Sequence, residues 1–281
     1  MMIKNLLSYL DEFTDIYINK PIQNNVGGMG FNHSFIFYTL LKNLKPNLVI
    51  ESGVWKGLST YIVESALPEA EIVCLDLSFN NLEYKSKKAT YKEIDFNCID
   101  WSKYNVENSL CFFDDHQNSL ERLKEMKWWG FKNCIFEDNY PPNEGDFYSM
   151  KQALSSSGHP QIQMSDDFKP KKIKYRFKRI IEEKALNKYY YRQNMIVKPN
   201  KIDSEGIKKN IIVYQEYPPV MSNASNIWNK EWAGDYEKKN DLINSENIDK
   251  FPIFKKYISS LNAESFKKNF EYGFITYVEI K

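Results

Sequence analysis

The chain has 281 residues, a formal net charge of +1 and 15% aromatic residues. This length suits one large domain or one domain with an insertion, and a charge so near zero argues against a nucleic-acid partner. No apolar run is long enough to span a membrane. The amino terminus has acids within its apolar pattern, which predicts an amphipathic helix and not a signal peptide. We therefore expect a cytoplasmic protein whose residues 1–45 form an N-terminal helical cap.

Four short apolar runs occupy the first half of the chain, at 47–52, 71–77, 109–115 and 133–139. They are of strand length and do not alternate with polar residues, which predicts strands that are buried on both faces. Helical patterns follow the first run, at 59–67, and the third, at 117–130. This order predicts an α/β fold with a parallel sheet and right-handed crossovers. The cysteines Cys74, Cys98, Cys111 and Cys134 form no Cys-x-x-Cys pair, and three of them lie in apolar runs, which indicates buried free thiols.

Each of the four apolar runs ends in acidic residues. One such acid could simply cap the next helix. Ligands of open parallel sheets bind at the carboxyl ends of the strands, so four acidic ends in succession favour a ligand site. The acids are Glu51, Asp76, the pair Asp114 and Asp115, and the pair Glu137 and Asp138.

The first crossover, ESGVWKGLST, contains Gly53 and Gly57. It has neither the Gly-x-Gly-x-x-Gly spacing of dinucleotide loops nor the Gly-Lys-Ser/Thr ending of phosphate-binding loops. The surrounding carboxylates would repel a bare phosphate but suit a ligand with an amine, ribose hydroxyls and a positive centre. S-adenosylmethionine has all three, and Asp76 could accept hydrogen bonds from both ribose hydroxyls.

Taken together, ESGVWKGLST, LDL, FFDDHQ and FEDNYPP resemble class I S-adenosylmethionine-dependent methyltransferases. The nearest types are the metal-dependent macrocin- and mycinamicin-type sugar O-methyltransferases and the cephalosporin-hydroxylase-like group. The resemblance covers about residues 26–154 and returns at the C-terminal strand. It implies a Rossmann-like, seven-stranded, mostly parallel sheet with helices on both faces and antiparallel last strands. The methyltransferase domain would span 46–281, with a basic helical insertion at about 155–205.

The resemblance also implies which residues contact the cofactor. The first-loop residues would lie against its methionine part, and Asp76 would hold the ribose. Asp95 and Asp100 are both candidates for the adenine contact, and Asp95 is preferred. The implied cofactor residues are Glu51, Gly53, Trp55, Gly57, Ser59, Thr60, Asp76 and Asp95.

The acids after the third and fourth runs are implied to bind a divalent metal. Oxygen ligands in this number suit Mg²⁺, with Ca²⁺ and Mn²⁺ as alternatives. Clustered carboxylates raise each other's pKa, and a cation relieves this repulsion and acidifies a coordinated hydroxyl. Whether Asp114 or Asp115 is the ligand, and whether Asn139 takes part, stays open. The implied ligands are Asp114, Asp115, Glu137 and Asp138.

His116 follows these acids directly, and we expect it to act with Asp115 in catalysis, as the general base. An equally good alternative is a histidine that begins a helix and bonds a carboxylate. Four further residues are candidates for substrate contact. For His33 the alternative is a buried histidine at the N-terminus of a helix. For those after the fourth run, the alternative is a turn that leads into a helix from Phe147. The substrate candidates are His33, Tyr140, Asp146 and Tyr148.

The second half of the chain is less regular. The segment 171–199 is basic and rich in tyrosine, which indicates a lid or an oligomer contact, with a nucleic-acid arm less favoured. The run 211–220 predicts the sixth strand, and 266–281 predicts hairpin-like last strands.

The function expected from all of these features is divalent-metal-dependent O-methylation of a sugar or glycan-type acceptor by S-adenosylmethionine. N-methylation of an amino sugar stays open. Two alternatives are another metal-dependent reaction, such as phosphoester hydrolysis, and a non-catalytic methyltransferase-like binding subunit. The expected partner is a small molecule or glycan, and whether the chain also forms a homo-oligomer stays open.

Overall fold

The computed structural model describes residues 6–142, 144–159, 181, 184, 198–221, 242–273 and 275–281. The chain divides into two compact units. The first comprises Met1–Asp115, Lys127–Asp138 and Ile212–Lys281, and the second comprises His116–Met126 and Asn139–Ile211. Most of the basic insertion predicted at 155–205 lies outside the described residues.

A seven-stranded sheet with the order β3-β2-β1-β4-β5-β7-β6 forms the centre of the fold. The strands β1 to β5 pair in parallel, and β7 pairs antiparallel with β5. This arrangement confirms the predicted Rossmann-like, mostly parallel sheet. The strands are β1 (Leu48–Ser52), β2 (Glu71–Asp76), β3 (Ala89–Glu93), β4 (Ser109–Phe113), β5 (Asn133–Phe136), β6 (Ile211–Glu216) and β7 (Thr276–Ile280).

Helices connect these strands and precede them. Within the part of the chain that the structure describes, no helix is both long and apolar enough to cross a bilayer. The helices are α1 (Leu10–Ile18), α2 (Phe31–Leu44), α3 (Leu58–Ala66), α4 (Ser119–Trp129), α5 (Met150–Leu154), α6 (Lys201–Asn210), α7 (Pro252–Ser260) and α8 (Ala263–Phe270).

The core of the first unit lies on the sheet and under α2. Every residue of β1 and β4 is buried, as the unalternating apolar runs predict. Phe37 of α2 stacks on Phe112 of β4, with ring centroids 4.2 Å apart. At the start of α2, Phe31 packs against Phe13 and Phe270, both at 5.2 Å. Aromatic packing therefore fixes the first turn of α2 between α1 and α8.

The structure corrects the sequence interpretation at two elements. The strand β3 was not recognised, because it is an edge strand of mixed burial and has no continuous apolar run. The segment 266–281 was expected to contain only strands, but its first residues belong to α8. Asn262 caps this helix by accepting the N–H of Ser265 at 2.7 Å, and Phe266 stacks on Phe270 one turn later.

Candidate functional site

The carboxyl ends of four adjacent strands of the first unit are level with one another. Ser52, the last residue of β1, pairs with Leu75 of β2 and with Phe113 of β4. Phe113 in turn pairs with Phe136 of β5. The acids that follow these strands therefore lie along one edge of the sheet, as predicted from their positions in the sequence.

The loop after β1 comes very close to the end of β4. Gly53 has a φ of +88°, and a Cβ atom at this position would lie 2.1 Å from the carbonyl oxygen of Asp114. Gly57 has a φ of +91°, and a Cβ atom there would lie 2.3 Å from the carbonyl oxygen of Tyr84. Both positions require glycine for two independent reasons, the backbone conformation and the lack of space.

Asp76 holds the same loop from β2. Its Oδ2 accepts the N–H groups of Val54 at 2.9 Å and Trp55 at 3.2 Å. Trp55 has a φ of +49°, and its indole donates to the carbonyl of Val26 at 3.0 Å. The carboxylate predicted to hold a ribose thus also shapes the loop that would face the cofactor.

Glu51 lies entirely inside the protein. Its carboxylate accepts hydrogen bonds from Ser59, from Thr60 at 2.7 Å and from the thiol of Cys74 at 3.4 Å. Burial raises the pKa of Glu51 to about 7, although these donors oppose the shift. In this arrangement Glu51 of β1 holds the first turn of α3 through the hydroxyls of Ser59 and Thr60.

The raised pKa of Glu51 predicts that the folding stability depends on pH. Between about pH 4.5 and 7 the folded protein keeps a proton on Glu51 that the unfolded chain releases, so this group lowers stability as the pH rises. The effect is on the order of 3 kcal/mol across that window. Replacing Glu51 by Gln should remove it. Urea unfolding of both proteins at several pH values tests this, and parallel pH profiles would contradict it.

Carboxylates crowd together at the ends of β4 and β5. Carboxylate oxygens of Asp114 and Asp138 lie within 4.8 Å of each other, and Asp115 accepts the hydroxyl of Ser52 at 2.6 Å. Burial raises the pKa of Asp114 well above its usual value, and the charges of Glu137 and Asp138 raise it further. Such a concentration of negative charge is one that a divalent cation would neutralise.

His33 of α2 reaches this cluster from the N-terminal part of the chain. Its Nδ1 contacts a carboxylate oxygen of Glu137, and its Nε2 accepts the N–H of Gly273 at 3.0 Å. Burial lowers the pKa of His33, but the carboxylates of Glu137 and Asp138 outweigh it and the net shift is upward. An Nε2 atom that accepts an N–H carries no proton, so the observed geometry is that of the neutral ring.

In the second unit, His116 pairs with Asp146. The Nδ1 of His116 lies 2.9 Å from Oδ2 of Asp146, and the ring packs edge-on against Phe147. Burial alone would raise the pKa of Asp146, but the hydrogen bond and charge of His116 lower it overall. His116 has a φ of +53°, a strained conformation that is frequent at functional sites.

The other predicted substrate residues of the second unit are part of its interior. Tyr140 and Tyr148 are buried, and the hydroxyl of Tyr148 donates to Asp203 at 3.1 Å. Asn139 accepts the N–H of Lys151 at 2.8 Å. The helix α5 begins at Met150, not at Phe147, and Ser149 caps it. A contact of Tyr140 and Tyr148 with a substrate stays a prediction.

Asp95 and Asp100, the two adenine candidates, both cap short turns after β3. Asp95 accepts the N–H of Asn97 at 3.0 Å, and Asp100 accepts that of Ser102 at 3.2 Å. The hydrogen bonds from Ser102 lower the pKa of Asp100. Asp95 follows the end of β3 by two residues, and Asp100 follows it by seven.

Two residues of this edge were missed by the sequence interpretation. Ser52 holds Asp115, and its only sequence signal is its place at the end of a buried strand. Leu77 follows Asp76 directly, and its side chain is 76% exposed. In the sequence, this exposed leucine was indistinguishable from the last residue of a buried strand.

No protein-family model and no curated protein matches the chain. Similar solved structures include a methyltransferase from Geobacter sulfurreducens, with 16% identity, 47% of this chain and 69% of that chain covered, and a TM-score of 0.31. The SAH-bound Podospora anserina methyltransferase PaMTH1 has 14% identity, with 76% of this chain and 84% of that chain covered and a TM-score of 0.37. The plantazolicin methyltransferase BpumL, in complex with SAH and a pentazolic desmethylPZN analog, has 10% identity, with 100% of this chain and 94% of that chain covered and a TM-score of 0.42. At TM-scores below 0.5, these similarities establish neither the family nor the activity of this chain.

Proposed function

We propose that this protein is an S-adenosylmethionine-dependent O-methyltransferase that uses a divalent metal ion. The observation that carries the proposal is the level alignment of the ends of β1, β2, β4 and β5. This alignment puts a glycine loop, a strand-end acid and a carboxylate cluster along one edge of one sheet. Ligands of open α/β sheets bind at this edge.

The cofactor part of the edge suits a nucleoside with a positive sulfonium centre. Gly53 and Gly57 let the backbone approach closely, and Asp76 supplies a carboxylate for the ribose. Leu77 presents an exposed apolar surface on which a flat adenine can pack, and Asp95 can face its amino group. When bound, S-adenosylmethionine supplies a methyl group on a good leaving group, so the protein mainly has to position and deprotonate the acceptor.

The residues that would hold the metal are Asp114, Asp115, Glu137 and Asp138. Hard oxygen donors of this kind fit Mg²⁺, and the carboxylate oxygens of Asp114 and Asp138, which lie within 4.8 Å of each other, support this assignment. When bound, the cation lowers the pKa of a coordinated hydroxyl. An edge with several carboxylates would suit an acceptor with two neighbouring hydroxyls, and so we propose a sugar or a glycan.

His116 would take the hydroxyl proton. Its Nδ1 faces the carboxylate of Asp146, which holds the tautomer whose Nε2 is the proton acceptor. His116 follows Asp115 directly in the sequence, so the proposed base is one residue from a proposed metal ligand. In this proposal Asp146 orients His116, which is the base.

Calorimetric titration with S-adenosylhomocysteine tests the cofactor assignment. We expect the wild-type protein to bind it. We expect Leu77→Ala to weaken this binding about tenfold, because the bound ligand would bury the leucine side chain, which contributes about 1.5 kcal/mol. Leu77 has little packing to lose, so stability should not change. Trp128→Ala is a matched control, since Trp128 is 83% exposed but lies on α4, shortly before the opposite end of β5. No binding by the wild type would favour a metal-dependent hydrolase instead.

A further inference from the structure

We propose that His33 and Gly273 form a positioning pair that holds Glu137 in the metal site, and that His33 makes no contact with the substrate. This inference rests on the proposed function, because it concerns the carboxylates assigned to the cation. It differs from the role predicted from sequence, in which His33 faces the acceptor.

Both ring nitrogens of His33 are engaged by the protein. Nδ1 contacts Glu137 and Nε2 accepts the N–H of Gly273 at 3.0 Å, while the residue as a whole is only 6% exposed. Since Nε2 accepts a hydrogen bond, the ring proton lies on Nδ1 and is donated to Glu137. The imidazole therefore connects the end of β5 to the segment that precedes β7.

Gly273 is packed tightly against the same group. A Cβ atom at this position would lie 3.1 Å from Cε1 of His33 and 3.3 Å from Oδ1 of Asp138. An alanine here would require these groups to shift by a few tenths of an ångström, although the φ of Gly273 is not in the left-handed region. The backbone of Gly273 thus limits the positions of His33 and Asp138 at once.

The turn that carries His33 is itself fixed on the first unit. Asn32 donates to the carbonyls of Met221 at 3.0 Å and Phe270 at 3.2 Å, and it accepts the N–H of Val220 at 2.8 Å. Gly30 lies so close to Asn269 that a Cβ atom there would be 2.8 Å from its carbonyl oxygen. A histidine on so rigid a base can hold a carboxylate in one orientation.

A carboxylate needs such support if it is to bind a metal well. Glu137 is 7% exposed, so little water is present to orient it or to solvate its charge. The N–H donor of His33 fixes the rotamer of the Glu137 carboxylate from one side. Removing groups that support metal ligands in this way costs about 10- to 100-fold in metal affinity.

The experiment is a calorimetric titration of the full chain with Mn²⁺, for the wild type and three variants. We expect His33→Ala to weaken Mn²⁺ binding about 10- to 100-fold, and Gly273→Ala to weaken it in the same direction. His33→Asn should recover most of the affinity, because the Asn amide can donate to Glu137 from nearly the position of Nδ1. Binding of S-adenosylhomocysteine should be the same in all four proteins.

Thr14→Ala is the control for a purely structural role. Thr14 lies on α1, and its buried hydroxyl donates to the carbonyl of Leu10 at 2.7 Å, so its loss should lower the melting temperature and spare Mn²⁺ affinity. Equal Mn²⁺ affinity in His33→Ala and the wild type would overturn the inference alone. Failure of His33→Asn to recover affinity would do the same. If the wild type binds no Mn²⁺, the proposed metal site fails and the inference with it.

Discussion

Replacing Asp138 by Asn is expected to lower turnover at least about a thousandfold while S-adenosylhomocysteine binding is unchanged. Asp138 follows β5, and carboxylate oxygens of Asp138 and Asp114 lie within 4.8 Å of each other, close enough to share a cation. Asn has the same shape but no charge, and it is a weaker ligand for a hard cation. Losing the metal removes several kcal/mol of stabilisation of the reacting hydroxyl, and each 1.36 kcal/mol corresponds to about a factor of ten.

Turnover can be followed as S-adenosylhomocysteine formed with a panel of glycosides that carry vicinal hydroxyls. Asp249→Asn is the matched control, because Asp249 forms an exposed ion pair with Lys255 at 2.5 Å and such pairs contribute little. This control should keep full activity. An Asp138→Asn protein that turns over as fast as the control would refute the metal assignment and leave the cofactor assignment standing.

Gly53→Ala is expected to weaken S-adenosylhomocysteine binding more than about tenfold and to destabilise the fold by about 1–3 kcal/mol. A Cβ atom at Gly53 would lie 2.1 Å from the carbonyl oxygen of Asp114, and backbone cannot move aside as a side chain can. The φ of +88° adds strain for any L side chain. The loop would therefore have to move away from the end of β4, and the surface offered to the cofactor would move with it.

Gly206→Ala provides the comparison. Gly206 lies in α6, where a Cβ atom would meet nothing within 4 Å, so alanine should stabilise the helix by up to about 1 kcal/mol. Chemical unfolding and calorimetry of the two variants separate strain at Gly53 from a general effect of alanine. If Gly53→Ala binds the cofactor product as well as the wild type does, the loop after β1 is not the cofactor loop.

The local pattern of apolar residues was sufficient to predict the sheet and the acids at its edge. Strands that are buried on both faces need continuous apolar runs, and the runs at 47–52, 71–77, 109–115 and 133–139 correspond to β1, β2, β4 and β5. Because parallel strands connected by crossovers end on the same side, the positions of Glu51, Asp76, Asp115 and Asp138 in the sequence already predicted a common edge.

Pattern failed where an element is only partly buried or where two periodicities compete. The edge strand β3 has too few apolar residues to be recognised, and the aromatic residues before β7 favoured a strand although Phe266 and Phe270 lie one helical turn apart. In both places, packing against the rest of the first unit decides the structure, and a short window of sequence contains no information about that packing.

Sequence by itself therefore determined the sheet class, the glycine loop and the set of acids that surround the proposed site. Only the tertiary structure decided what each acid contacts: Glu51 is fastened to α3, Asp115 to Ser52, and Glu137 to His33. The reason is that the contacting residues lie far apart in the sequence. His33 lies 104 residues from Glu137 and 240 from Gly273, and no local pattern encodes a hydrogen bond that forms only when distant segments have packed together.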